Sequence, residues 1–231
     1  MAYQLWYWTG IPGRGEFVRI ALEAGGIGYV DCAREQGDAA LVKDMSKRRP
    51  EPFAPPYLVT GNLVIAQTAN ILDWLGRKHG LAPKDEAGRR ACAQYQLTIA
   101  DMVAEAHDAH HPVASGLYYE DQKKEAKRRA EDFRTNRMPK FLDYFARALG
   151  KADWLVGDRW TYADMSLFVL VDGLRFAFPK RMKTIEADHP ALHAHLKRVA
   201  HLPELSDYLA SDRRLPYGEG IFRHYPELDA D

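Results

Sequence analysis

Cysteine is scarce in this chain: Cys32 and Cys92 are the two among 231 residues. They form no CxxC pair and no metal-ligand spacing, which leaves no basis for a disulfide framework, a zinc ribbon or a dithiol redox motif. A dominant charge sign is also missing. Lysine plus arginine and aspartate plus glutamate number 32 each, so the balance does not point to nucleic acid or an anionic membrane as partner. The longest apolar runs fall far short of a bilayer span. The opening MAYQLWYW has no basic segment and no small-residue cleavage site. These absences predict a soluble cytoplasmic protein that engages neither nucleic acid nor membrane. The length allows one large domain or two small ones, and no repeat or low-complexity segment divides it.

What is present falls into two kinds of pattern. Residues 3–8 (YQLWYW) alternate and are aromatic, as a strand requires. Residues 14–25 set Phe17, Val18, Ala21, Leu22 and Ala24 at helical spacing and stop at Gly25-Gly26. Residues 27–32 read as a second strand, with 38–48 a short helix or loop. Residues 57–60 and 63–66 are β-prone runs joined by Gly61-Asn62, a tight-turn dipeptide. Residues 68–79 then form an amphipathic helix through Ile71, Leu72, Trp74 and Leu75. The order is β-α-β-(α)-β-β-α.

After a Pro83-containing linker at 81–86, every pattern is helical: 87–111, 121–149, 161–176, 190–201 and 203–212. Thr161-Tyr162-Ala163-Asp164 opens the third of these as a capping box. The expected architecture is α/β plus all-α, with units at 1–80 and 87–231.

Three motifs invite other readings. Gly10-Ile11-Pro12-Gly13-Arg14-Gly15 is glycine-rich but lacks the Lys-Ser/Thr and spacing of a phosphate loop. His107, His110 and His111 share a helix face and could meet a metal, yet Pro112 follows at once and such histidines are commonly packed or solvated, so no metal is expected. Lys123 to Arg134 is basic with interspersed acids, the pattern of a solvated face.

One feature resists a purely structural reading. Pro55-Pro56 stands directly before the hairpin, where proline cannot donate to a ladder. Together with Tyr3 to Trp8, Gly13-Arg14-Gly15-Glu16, Pro56-Tyr57-Leu58, Gln67-Thr68-Ala69-Asn70-Ile71 and the capping box, it resembles the cytosolic glutathione S-transferases that use tyrosine, of a sigma/pi-like bacterial or fungal type. The resemblance spans about residues 3–210. It implies a thioredoxin-like N-terminal domain that binds glutathione, and an all-helical domain that forms the electrophile pocket and dimer contacts.

The resemblance also assigns roles. Tyr7 would be the catalytic residue, a protonated phenol stabilising the glutathione thiolate. A cis proline before the third strand, Pro56 or in another register Pro55, would turn the preceding residue toward the cysteinyl backbone. With Pro56 cis, Pro55 has no N–H to give, a loss of about 1 kcal/mol. Gln67, Thr68 and the N-terminus of their helix would hold the γ-glutamyl carboxylate. Lys47 would meet the glycine carboxylate, with a plain loop lysine the other reading, and Arg14 would have a structural or electrostatic role in the site. Among Asp101, Glu105 and Asp108, Asp108 is taken as the acid that reaches a partner subunit's ligand. His110, His111, Tyr118 and Tyr119, with the tail Leu215 to Tyr225, would wall the second-substrate pocket. The implied protein is a cytoplasmic homodimer that conjugates glutathione, a co-substrate and not a cofactor, to small hydrophobic electrophiles in detoxification. A glutathione-dependent isomerase or peroxidase, or a non-catalytic glutathione-binding module, is the alternative.

Overall fold

The computed structural model describes residues 2–230. Strand β1 (Tyr3–Trp6) lies between β2 (Tyr29–Asp31) and β3 (Tyr57–Thr60), with β4 (Leu63–Ala66) at the edge. β1 and β2 run parallel, whereas β3 is antiparallel to both β1 and β4. Thr60 faces Leu63 across the turn, and Gly61 takes φ +56°, the left-handed conformation that a two-residue hairpin turn demands. Strand alternation divides the side chains. Leu5 and Leu58 enter the main core, while Trp6, Tyr57 and Val59 meet Cys32, Ala33 and Leu41 on the opposite face.

Helix α1 (Gly13–Ala24) covers the first face together with α4 (Thr68–His79); α2 (Cys32–Gln36) and α3 (Asp38–Met45) cover the second. Cys32 therefore starts a helix, where a strand end was expected. The expected linker is no free tether: Leu81 and Ala82 are buried, and the Leu81 carbonyl accepts from Tyr162 N at 2.9 Å.

Everything beyond is helical: α5 (Glu86–Asp108), α6 (Lys123–Asp132), α7 (Met138–Leu149), α8 (Tyr162–Ala177), α9 (Pro179–Asp188), α10 (Pro190–Ala200) and the short α11 (Ser206–Leu209). A thioredoxin-like sheet unit followed by an all-α part is the expected fold class. The single helix expected at 121–149 is interrupted by a π-helical turn at Phe133–Arg137. Pro139 accounts for it, because its ring displaces the preceding turn's carbonyl and offers no N–H. The sequence reading passed over α9. Its first N–H groups are capped from far along the chain, by Asp229 accepting from Lys180 N (2.7 Å) and Arg181 N (3.2 Å).

Helix α8 is the hub of the helical part, buried along nearly its whole length. Asp164 fixes its start. One carboxylate oxygen accepts from Thr161 N (2.7 Å) and Thr161 Oγ1 (2.8 Å), the other from Leu155 N (2.9 Å) and His195 Nε2 (2.8 Å). An amide has one acceptor oxygen and would turn its NH2 toward donors. Asp164→Asn is therefore expected to lower stability by roughly 2–4 kcal/mol in urea unfolding.

Candidate functional site

The first element of the site is the chain's exit from β1. Tyr7 follows the strand directly, 4% exposed, and its Oη accepts a hydrogen bond from the backbone N–H of Arg14 at 2.8 Å. Among the described residues the hydroxyl donates to nothing, so its proton is unspent. Burial raises the Tyr7 pKa, partly opposed by the Arg14 N–H and by the charges of Arg14 and Arg19. The group stays a phenol at neutral pH, polarised by the bond it accepts.

Two glycines make room for it. A Cβ on Gly13, which has φ +43°, would lie 2.1 Å from Tyr7 Oη, and one on Gly15 would lie 2.5 Å from Tyr7 Cδ1. Below the ring, the Arg19 guanidinium carbon lies 5.7 Å from the centroid. Arg19 is fully buried and donates to Asp31 Oδ2 (2.6 Å) and to the Pro12 carbonyl (3.3 Å), so it ties β2, the loop and the phenol together. Glu16, one turn before it, is also buried; both its oxygens accept from Tyr208 Oη, at 2.9 and 2.8 Å. Desolvation pushes the Glu16 carboxyl up to about 7, against the opposing pull of Arg19, Tyr208 and Arg214.

The second element is the N-terminus of α4. Its N-cap, Gln67, takes φ 70° and ψ 120° and makes no side-chain cap; the first turn holds no acid, and Thr68 Oγ1 is buried without a partner. Free N–H groups and the helix dipole make such an end receptive to an anion. A cavity of about 470 Å³ opens there, walled by Arg14, Gln67, Thr68 and Asn70 on one side and by Gln96 and Leu97 of α5 on the other. Tyr7 is not in its wall. Arg14 joins the two elements, its backbone holding the phenol and its side chain facing the cavity. The Pro55–Pro56 bond is cis, and Pro56 is buried at the start of β3 with Pro55 half-buried before it.

Other expected residues are distributed differently. Lys47 is exposed just past α3 and, like Arg14, has no carboxylate partner among the described residues. Its neighbour Arg48 is bound to Asp44 instead. Of the three acids, Glu105 is held by Arg137 (2.6 Å) and Arg129 (3.0 Å) of its own chain. Asp108, the expected one, ends α5 beyond the cavity, whose wall on that helix runs from Ala93 to Val103. Asp101 is exposed within that stretch, outside the cavity wall itself.

His110, His111, Tyr118 and Tyr119, expected around the second-substrate pocket, lie outside the wall of this cavity at the α4 N-terminus. The tail folds over them: His110 Nε2 donates to the Ile221 carbonyl at 2.9 Å, and Tyr119 stacks on Tyr225 at 3.7 Å while donating to Glu227 at 2.9 Å. Tyr118 points outward, 79% exposed. Burial lowers the His110 pKa to about 3 and that of the half-buried His107 to about 4, so both rings are neutral. Among the described residues, no three His, Cys, Asp or Glu side chains are arranged to hold a metal. The sequence reading missed Gln96. A glutamine within the apolar stripe Cys92, Ile99, Val103, Ala106 was the available signal.

Comparison with known proteins bears on the family and the fold. Residues 107–212 match the family described as glutathione S-transferase, C-terminal domain. A glutathione S-transferase of Mesocricetus auratus is 30% identical over 220 residues, covering 92% of this chain and 93% of its own. The chain belongs to the glutathione S-transferase family. Glutathione S-transferase Mu 2 of Rattus norvegicus is 28% identical over 222 residues, with 93% and 94% of the two chains covered. A glutathione S-transferase of Plasmodium yoelii yoelii is 26% identical over 211 residues, with 89% and 92% covered. The fold is shared with a Pi-class glutathione S-transferase of Onchocerca volvulus, at TM-score 0.72 and 20% identity over 95% of this chain and 98% of that one. The relatives named here are animal and protozoan, and none supports the bacterial or fungal type expected. Membership supports glutathione-conjugating activity in general terms. No helix among the described residues is long and apolar enough to cross a membrane.

The glycine clearance is directly testable. Gly13→Ala would drive a methyl group into Tyr7 from a left-handed backbone, and is expected to cost roughly 2–4 kcal/mol of stability. Gly10→Ala, in the same loop with nothing within 4 Å of the added carbon, is expected to stay within about 0.5 kcal/mol. Equal urea midpoints for the two variants would contradict the packing described.

Proposed function

We propose that this glutathione S-transferase activates glutathione through Tyr7, whose hydroxyl donates to the sulfur and holds it as a thiolate for attack on a small hydrophobic electrophile. The supporting observation is the Tyr7 hydroxyl itself, which accepts from Arg14 N while its own proton is uncommitted. A free cysteine-like thiol of pKa roughly 8.5 is only about 3% ionised at pH 7. Lowering that pKa by about 2 units raises the ionised share to roughly three-quarters and takes about 2.7 kcal/mol. One hydrogen bond to an ion contributes roughly 1.5–3 kcal/mol. The phenol is thus of the right strength to do most of this alone.

In this reading the γ-glutamyl carboxylate sits at the α4 N-terminus with Gln67, Thr68 and the Arg14 cation, the Pro55 carbonyl accepts from the cysteinyl N–H, and the exposed cation Lys47 serves the glycine end. Residues 1–80 hold glutathione and residues 87–231 supply the electrophile side. Two copies complete the protein. Phe53 is 93% exposed on the loop ahead of β3, apolar surface that a second chain would cover, and Asp101 is exposed on the stretch of α5 that passes the cavity.

Tyr7→Phe is expected to reduce kcat/KM toward an aryl halide about 10- to 150-fold and to raise the pKa of bound glutathione by about 1–2 units, read from thiolate absorbance. Unchanged turnover would sink the mechanism and leave a glutathione-binding module. Phe53→Ser removes a contact made twice in a symmetric pair. At roughly 1.5–3 kcal/mol for each buried phenyl, self-association should weaken at least a hundred-fold in sedimentation equilibrium.

A further inference from the structure

Gln96 is the most conspicuous unsatisfied polar group in the described cavity. It occupies the buried stripe of α5 with Cys92, Ile99 and Val103, is 2% exposed, and faces the cavity opposite Thr68. Its side-chain amide makes no hydrogen bond among the described residues, and Oε1 is buried with no partner. Leaving an amide dry and unpaired costs stability that an apolar residue there would not. Such a group in a native fold points to a ligand.

The cavity's other polar groups say what kind. The α4 N-terminus, Thr68 Oγ1 and Arg14 are donors or cations and suit a carboxylate. An α-amino acid head also carries an ammonium, which needs acceptors. Among the described residues no carboxylate is in the cavity wall, so the side-chain acceptors there are amide oxygens and the Thr68 hydroxyl, which the carboxylate engages. Gln67 and Asn70 are both exposed, Asn70 with its NH2 donating to the Ala66 carbonyl, so their oxygens are open to solvent. Gln96 alone is buried, and a half-turn about χ3 presents either its oxygen or its NH2 to the cavity.

We propose that Gln96 is a specificity-determining residue that accepts a hydrogen bond from the α-ammonium of the γ-glutamyl group, so that the chain selects its ligand by that amine from within one subunit. The inference rests on the glutathione reading above. It makes the discriminating group a neutral amide opposite the helix end that holds the carboxylate, across one cavity.

Calorimetric titration with glutathione and with its analogue lacking the α-amino group, glutaryl-cysteinylglycine, provides the test. The wild-type protein is expected to prefer glutathione at least tenfold. Gln96→Met, of similar volume, should weaken glutathione about tenfold, leave the analogue unchanged and reduce the preference below threefold. Gln96→Glu keeps an acceptor and adds charge, so its preference should equal or exceed that of the wild type; it also serves if the methionine variant folds poorly. A preference that survives in Gln96→Met would place the ammonium on another group, such as Asp101 of a second copy, and overturn the proposal. So would equal weakening of both ligands, the signature of a packing role. If the wild-type protein binds neither tripeptide, the glutathione reading falls and takes this inference with it.

Discussion

Two ionisable side chains sealed inside α1 set the terms for the rest of the molecule. Glu16 and Arg19 lie one turn apart on a helix walled by the sheet on one side and the helical part on the other. Burying an ion costs several kcal/mol unless close partners satisfy it, and α1 cannot supply them all. Asp31 comes from β2, the Pro12 carbonyl from the loop, Tyr208 and Arg214 from beyond α10. Each of these segments is held at a defined distance from α1, and the site inherits that definition.

Tyr7 shows how the constraint reaches the chemistry. Its ring rests over Arg19, its flanks are cleared by Gly13 and Gly15, and its hydroxyl is gripped by a backbone N–H. Every one of these contacts is local to the β1–α1 connection, so the phenol is oriented without help from a ligand. Such orientation before binding is what gives a single hydrogen bond its full electrostatic effect, because no reorganisation accompanies the reaction. The α4 end is prepared in the same sense. Gln67 breaks the strand-like backbone with a positive φ and leaves the first N–H groups free.

Sequence patterns captured what depends on short-range spacing. The hairpin at Gly61-Asn62, the period of α1 and the Thr161–Asp164 box were all readable, since turn chemistry, periodicity and capping act over a few residues. What escaped depends on distant partners. The start of α9 is capped by Asp229, nearly fifty residues away, which left Pro179 at the first helical position as the one local sign of it. The tail does meet His110 and Tyr119, the residues it was grouped with, but the partners Ile221 and Tyr225 lie more than a hundred residues on, beyond the reach of local patterns. The π-helical turn before Pro139 was visible in principle, a proline inside an otherwise continuous pattern. Asp108 and Asp101 differ only in depth along α5, and depth becomes meaningful once the cavity is located.

The bond from Tyr208 to Glu16 joins the sheet-bearing part of the chain to segments almost two hundred residues later. Chimaeras that graft one half onto the complementary half of a cousin would inherit a carboxylate in the dark unless the donor also brings a phenol to that spot. Shuffled libraries built at the α4–α5 junction should therefore yield folded progeny mainly when position 16 and position 208 travel as a matched pair, whatever the rest of each parent contributes.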